Sequence, residues 1–405
     1  MNSIVQTEQQ LSLKDWLANQ LIFQKLNNPL GYVVLMALSF VIAYLIAVFE
    51  MKVGFLILGA IVGIPILGLC MVNQIFSICV ILTIGVLVEF FKRYVDAPFG
   101  TALDGLLFIA FFGVLIQQTR SRDLSFAKSP ISVCILIWVG YNLLQVLNPW
   151  AASRMAWLYT VRSMAGLILI YFIACYALKS LKTISFLIKW ILGLSFLSAL
   201  YGLKQEFLGF TTTELNWLYS DPERLQLIFQ WSRLRIFSFL SDPTTYGIYM
   251  AYMGTFCFIM ATGPFSNFRR GILIFAGICM FMAMAYAGSR TPFVLVPFGF
   301  AVFTLLTLRK EVIIGMFCVF LLGCGAMMKS TSSAVLYRIQ SAFIPSKSSD
   351  TMQVRFENQK MIQPLIHSHP IGVGLGSSGI WGKRFTPDSM LADFAHDSQY
   401  VRIAV

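Results

Sequence analysis

Pro130-Ile-Ser-Val-Cys-Ile-Leu-Ile-Trp-Val-Gly-Tyr-Asn-Leu-Leu-Gln-Val-Leu147 carries no charged residue. As an α-helix a run of this length rises about 27 Å, close to the roughly 30 Å hydrocarbon core of a bilayer. Runs of the same kind lie on both sides of it. Before it come Tyr32–Phe49, Val53–Met71, Gln74–Phe91 and Leu103–Gln118. After it come Ser163–Leu178, Thr183–Leu203, Tyr246–Ala261, Gly271–Ala287, Thr291–Leu308 and Glu311–Met328. These make roughly eleven spans by the length rule. Tyr400–Val405 reads as the start of another, so the sequence reads as a piece of a longer protein. Composition agrees: 58% of the 405 residues are hydrophobic and 12% charged, where soluble domains carry about 25% charged residues. Mean hydropathy is +0.75. The expected fold is all-α, a polytopic integral membrane protein of about 11–12 helices.

The formal charge is +12. Cytoplasmic loop charge accounts for such an excess by the positive-inside rule; arginines meeting an anionic substrate are the sharper reading. No basic run is dense enough for nucleic acid. With the N-terminus inside, the inner loops hold Arg120, Arg122, Lys128, Lys179, Lys182, Arg269, Arg270, Arg309 and Lys310. The outer ones hold fewer, although Lys52, Lys92 and Arg93 run against the bias. On that topology Lys204–Thr244, Gly288–Arg290 and Lys329–Gln399 all face outward. All eight cysteines fall inside apolar segments and read as small buried hydrophobes. Within residues 1–30, Leu13, Trp16, Leu17, Leu21 and Phe23 would form one face of an interfacial or cytoplasmic amphipathic helix.

Lys329–His396 is the longest polar interval and holds all three histidines. A loop this long in a hydrophobic chain points to function. Four stretches could carry chemistry. Arg233 and Arg235 precede Asp242-Pro243, a turn or helix start; a helix N-terminus with arginine nearby suits an anion. Capped-helix packing with an interfacial arginine is the plainer reading. Arg290 lies in the tight turn Gly288-Ser-Arg-Thr-Pro292, where an arginine at the membrane rim either snorkels or binds. His367-Ser-His369-Pro-Ile-Gly372-Val-Gly374-Leu-Gly376 precedes Gly379. Its G-x-G-x-x-G spacing lacks a βαβ setting, so it reads as flexible backbone that approaches a ligand closely. The two histidines have poor metal spacing. Finally, His396-Asp397-Ser-Gln-Tyr400 leads into the last span, and either His396 or Asp397 could be a general base.

Together these stretches resemble the O-antigen ligase and polymerase superfamily of bacterial inner-membrane proteins. Arg235–Thr244 is similar to its R-x-x-G-x-F-x-N-P-N pattern, departing at Ser238, Leu240, Asp242 and Thr244. Ser289-Arg290-Thr291 resembles its S-R-G/T turn. Arg355, followed by His369-Pro-Ile-Gly372-Val-Gly374-Leu-Gly376, resembles its R…hP-x-G-x-G-x-G run. Its H-N/S/Q-x-Y motif aligns in two ways, placing either His396 or Asp397 at the histidine. An intrinsic pKa of about 6.5 favours His396.

The resemblance implies a GT-C-like fold and glycosyl transfer at the periplasmic face of the inner membrane. The implied donor is a glycan on polyprenyl diphosphate. The acceptor is a sugar hydroxyl of lipid A core (ligase) or of another lipid-linked glycan (polymerase). The family is metal-independent, and the chain shows no Asp/Glu cluster; no cofactor is expected. Arg235, Arg290, Arg355 and Arg233 are the expected diphosphate ligands. His367, His369, Gly372, Gly374 and Gly376 would shape the acceptor loop. The chain then divides into residues 1–30, a transmembrane domain 31–328, a catalytic loop 329–399 and the final segment 400–405. A lipid-linked glycan flippase is the alternative. A transporter would place ionisable or broken-helix sites at mid-bilayer, often in repeated halves; only Lys189 stands out there, and no internal repeat is visible. A structural subunit would leave the arginine and histidine motifs unexplained.

Overall fold

The computed structural model describes residues 28–95, 99–121, 128–230, 233–308, 313, 350–392, 394 and 401. The expected N-terminal amphipathic helix, most of the Glu311–Met328 span and nearly all of 395–405 lie outside these residues. Residues Met1–Leu69 and Cys70–Val405 form two units; the second holds every element that follows the first helix.

Helix α1 is a single run, Pro29–Val72, of 44 residues. Two spans were expected here, separated at Glu50-Met-Lys52. The charges do not end the helix, because Glu and Lys are good helix formers and no capping residue or proline interrupts them.

Among the described residues six helices are long and apolar enough to cross a membrane. They are α2 (Gln74–Lys92), α3 (Phe99–Ser121), α4 (Pro130–Leu144, extended by a 3₁₀ turn to Leu147), α5 (Arg154–Ala177), α6 (Leu181–Phe207) and α10 (Asn267–Ala287). Polar side chains start them: Asn73, Ser129, Ser153 and Ser180 accept from first-turn amides. Large apolar side chains such as Ile137, Leu144, Leu167 and Phe275 point away from the protein. An apolar surface of that extent belongs in lipid. This is a polytopic, all-helical membrane protein, as its hydropathy dictated; among the described residues the strands amount to one two-residue pair.

Cys318 and Cys324 lie outside the described residues; the other six cysteines follow the same logic with one departure. Cys70, Cys79, Cys257 and Cys279 are buried, Cys175 is half-buried, and Cys134 is exposed on α4, facing outward with its apolar neighbours.

Helix α9 (Pro243–Ala261) is not among the six. It packs against α6, α10 and α11 (Thr291–Thr307). Enclosed by other helices, it carries small and polar residues that a lipid-facing helix would not. Its seam with α10 is reciprocal. A methyl at Gly254 would meet the Phe281 ring at 2.7 Å, and one at Gly277 would meet Phe258 at 2.8 Å. Each phenyl lies over the other helix's glycine, and the two rings stack at 5.2 Å. Small residues of this kind let membrane helices approach closely.

Between α6 and α9 the chain forms α7 (Thr212–Tyr219), α8 (Pro222–Ile228) and an antiparallel pair, β1 (Phe229–Gln230) with β2 (Arg233–Leu234). Beyond α11 come α12 (Asp350–Ser368) and α13 (Gly379–Phe385). The polar interval read as a loop thus contains two helices. The α2 C-terminus, residues 208–242 and the α10–α11 turn are joined by contacts described below, and residues 369–385 dock on the α4–α5 connection and α5.

Candidate functional site

Phe237-Ser238-Phe239-Leu240 is a buried stretch without regular structure, so its backbone groups need side-chain partners. Gln205 Oε1 on α6 accepts from Phe237 N at 3.2 Å and Ser238 N at 2.8 Å. Arg93, just past α2, donates from Nη1 to Ser238 O at 2.6 Å and from Nη2 to Leu240 O. Ser238 has φ 48, a left-handed backbone. Its hydroxyl donates to Ser198 O at 2.7 Å. This is the position where the resembled pattern has glycine.

The Arg93 side chain is completely buried, as is that of Glu214, 3.7 Å away. Phe237 lies under the guanidinium at 4.5 Å and Trp217 at 5.1 Å. Burial pushes the guanidinium down to about 10, against the pull of Glu214, so it stays protonated at neutral pH. Glu214 itself accepts from Tyr201, Gln205 and the Thr211 amide and hydroxyl. Arg93 reads in the sequence only as a loop charge. A lone arginine at a helix end carries no mark of a carboxylate supplied by a distant short helix.

Arg235 is 7% exposed. Its Nε donates to Ala287 O at 2.8 Å, and its Nη1 lies 3.3 Å from Leu227 O and from Gln230 Oε1. Ala287 ends α10, whose last carbonyls lack helical partners. Gly288 follows at φ 63 and ends the helix in the left-handed conformation. Ser289 is buried and Arg290 exposed. Among the described residues no side chain pairs with the Arg290 guanidinium. The turn also sits on α9: a methyl at Gly247 would lie 3.0 Å from Pro292 Cγ and 3.3 Å from Ala287 Cβ. Two motifs far apart in sequence are therefore one structure. Arg233 is exposed on its rim and paired with Glu206 at 3.1 Å.

Asp242 caps α9, accepting from Thr244 N at 2.8 Å and Thr245 N at 2.9 Å. The helix start expected at Asp242-Pro243 is there. Its first amides are satisfied by this carboxylate, so the helix N-terminus itself offers no free donors there.

The histidine–glycine stretch docks elsewhere, on the α4–α5 connection. Ile371 O accepts from Gln145 Nε2 at 3.0 Å and Gly372 O from Asn148 Nδ2 at 3.0 Å. Gly372, Gly374 and Gly376 have φ 86, 106 and 81. A methyl at Gly374 would meet Ala151 at 2.6 Å, and one at Gly376 would meet Ala156 O at 2.6 Å. The glycines were expected to approach a ligand; at Gly374 and Gly376 what the backbone approaches is the protein's own chain at the start of α5. His369 packs edge-on to Trp150 at 5.1 Å. Its Nδ1 faces Leu365 O at 3.1 Å and Ser368 Oγ at 2.8 Å. His367 is exposed on the last turn of α12. Next along the chain, Trp381 and Phe385 of α13 pack on Tyr159 at 4.7 and 5.3 Å. Arg355 lies on α12, its side chain outside the described set; His396 and Asp397 lie outside the described residues altogether.

This is a multi-pass helical membrane protein in which the Arg235 segment and the start of α9 meet a helix-ending turn that bears an exposed arginine. Residues 275–402 match the family model described as O-Antigen ligase. No curated protein matches the chain, and no solved structure does. The matched part takes in the end of α10, the arginine turn, α12 and α13, and it covers Arg290, Arg355, His367, His369, His396 and Asp397. Over this part, about a third of its length, the chain is similar to the O-antigen ligase family.

Proposed function

We propose that this protein is a metal-independent glycosyltransferase of the bacterial inner membrane, GT-C-like in fold, working at the periplasmic face. It moves a glycan from polyprenyl diphosphate to a sugar hydroxyl of lipid A core or of a second lipid-linked glycan. The acceptor oxygen attacks the anomeric carbon, the bond from that carbon to the diphosphate oxygen breaks, and a base takes the hydroxyl proton. The leaving diphosphate carries the developing negative charge. The protein's task is then to hold that charge and to place the base.

The observation that carries this reading is the pairing of Arg235 with Ala287 O, which sets Arg290 outward in a family-matched turn. Arg290 is the proposed diphosphate ligand, because its guanidinium is exposed and its fork suits two phosphate oxygens. Arg233 borders the turn, and Arg355 is the further proposed ligand. Arg235, bonded to carbonyls, frames the site from below. His396 or Asp397 is the proposed base. His367, His369 and the docked glycines Gly372, Gly374 and Gly376 shape the acceptor side.

The test is glycan analysis of a deletion strain complemented with wild type or with Arg290→Lys. Expected is a loss of transferred glycan, with single lipid-linked glycans accumulating on the outer face in both the deletion and the Arg290→Lys strains. Accumulation on the inner face would instead indicate a flippase and overturn the reading.

A further inference from the structure

The route from Arg93 to Arg290 is continuous. One guanidinium holds the carbonyls of Ser238 and Leu240, two residues apart. A planar fork does this; a single ammonium does not. Three residues before Ser238, Arg235 binds Ala287 O. Three residues after Ala287 stands Arg290. A fully buried ion pair such as Arg93–Glu214 is costly in desolvation, and hydrophobic residues often replace such a pair without loss. Packing alone gives no reason to keep it here, whereas the precise placement of the 235–240 segment does.

We infer that Arg93 is a positioning residue: acting through residues 235–240, it fixes the turn that presents Arg290. The inference rests on the proposed transferase only for what the turn does; its geometry is independent of that reading. Arg93 lies outside the family-matched stretch and in the half of the chain that otherwise reads as plain scaffold.

The test uses the full-length protein with its native cysteines replaced and one new thiol, Ser289→Cys, at the buried position beside Arg290. Labelling by a neutral maleimide is slow while the turn is fixed. Arg93→Lys keeps the charge but releases one carbonyl. It is expected to speed labelling about tenfold or more, the effect of losing one buried charge-assisted hydrogen bond. Lys92→Met, which removes a surface pair with Glu89, is expected to leave the rate unchanged. Should Arg93→Lys not fold, Glu214→Gln weakens the same clamp and is expected to move labelling in the same direction. An unchanged rate in the folded variant refutes the inference.

Transfer activity then separates positioning from general destabilisation. Arg93→Lys is expected to lower kcat/KM for lipid-linked donor in the wild type. It should have little further effect once Arg235→Gln has released the turn. Independent, multiplying losses in the double variant would make Arg93 a residue of the fold only. Faster labelling combined with normal transfer by Arg290→Lys would leave the positioning intact and sink the proposed function instead.

Discussion

Ser238 offers a test of the site's backbone that needs no knowledge of substrate. Its φ of 48 puts a residue with a Cβ in the left-handed region, which costs L-residues about 1–2 kcal/mol. Against this, its hydroxyl makes a buried bond to Ser198 O, worth about 0.5–1.5 kcal/mol. Ser238→Gly removes the strain, loses the bond, and adds roughly 0.5–1 kcal/mol of chain freedom in the unfolded state. These contributions nearly cancel, so Gly is expected within about 1 kcal/mol of wild type. Ser238→Ala keeps the strain and loses the bond, for a cost of about 1 kcal/mol. Ser238→Val adds a branched side chain to a left-handed, fully buried position, for about 2 kcal/mol or more beyond Ala. The assay is thermal unfolding of the detergent-purified protein, followed by loss of its monodisperse elution peak. The expected order is Ser and Gly together, then Ala, then Val. An Ala variant as stable as the Gly variant would refute a left-handed backbone at this position, and with it the way Arg93 and Gln205 grip the segment.

Four further outcomes are expected. Arg290→Lys should insert and unfold like wild type while losing most transfer activity, whereas Arg235→Lys should lose both stability and activity; unfolding midpoints beside a transfer assay distinguish them. Gly376→Ala forces a methyl against Ala156 O at a positive φ and should undock the loop, read as new protease cleavage near 376. Gly379→Ala meets no atom at its Cβ and adds only the strain of its φ of 68, about 1–2 kcal/mol, so it should open the loop to protease less than Gly376→Ala does. His396→Ala or Asp397→Ala, but not both equally, should cut transfer by about 10²–10⁴-fold in the full-length enzyme; full activity in both and in the double variant would pass the role to His367 or His369. Single cysteines at Thr212 and at Ser346 should each react with an impermeant thiol reagent in cells with a permeabilised outer membrane, and a site that reacts only after lysis would reverse the topology.

The spans were legible because bilayer thickness leaves an apolar run of this length few alternatives. Even α9, packed against α6, α10 and α11, was readable by length; which neighbours enclose it no single sequence displays. The misreading at Glu50–Lys52 has the opposite cause. Charge marks a turn only where the backbone also needs one, and nothing there stops a helix. The glycines suggested a close approach to a ligand, and at Gly374 and Gly376 the close approach is instead to the protein's own chain. They could not name its target, since a missing Cβ records the space required and not the neighbour that takes it. Arg235 stood out as a motif residue, yet its burial depended on where the end of α10 would lie. Arg93 and Glu214 were invisible as a pair, because each alone looks like ordinary charge at a helix end.

The family match begins within α10, but the parts that hold its arginine turn in place come from earlier in the chain. Arg93 and Gln205 fix residues 237–240, Arg235 takes the last carbonyl of α10, and Gly247 leaves room for the turn on α9. None of these side chains needs contact with a ligand to matter. An exposed arginine at a membrane rim would otherwise sample many rotamers, and ordering it only on binding costs affinity. Fixing its backbone from below reduces that cost before any ligand arrives. Departures from the resembled motif are absorbed by the same framework. Asp242 caps α9 as asparagine would, and Ser238 takes the left-handed turn of a glycine while adding a hydroxyl bond to α6. The features this framework maintains are therefore backbone geometry and the outward arginine, and several side-chain identities serve them equally well.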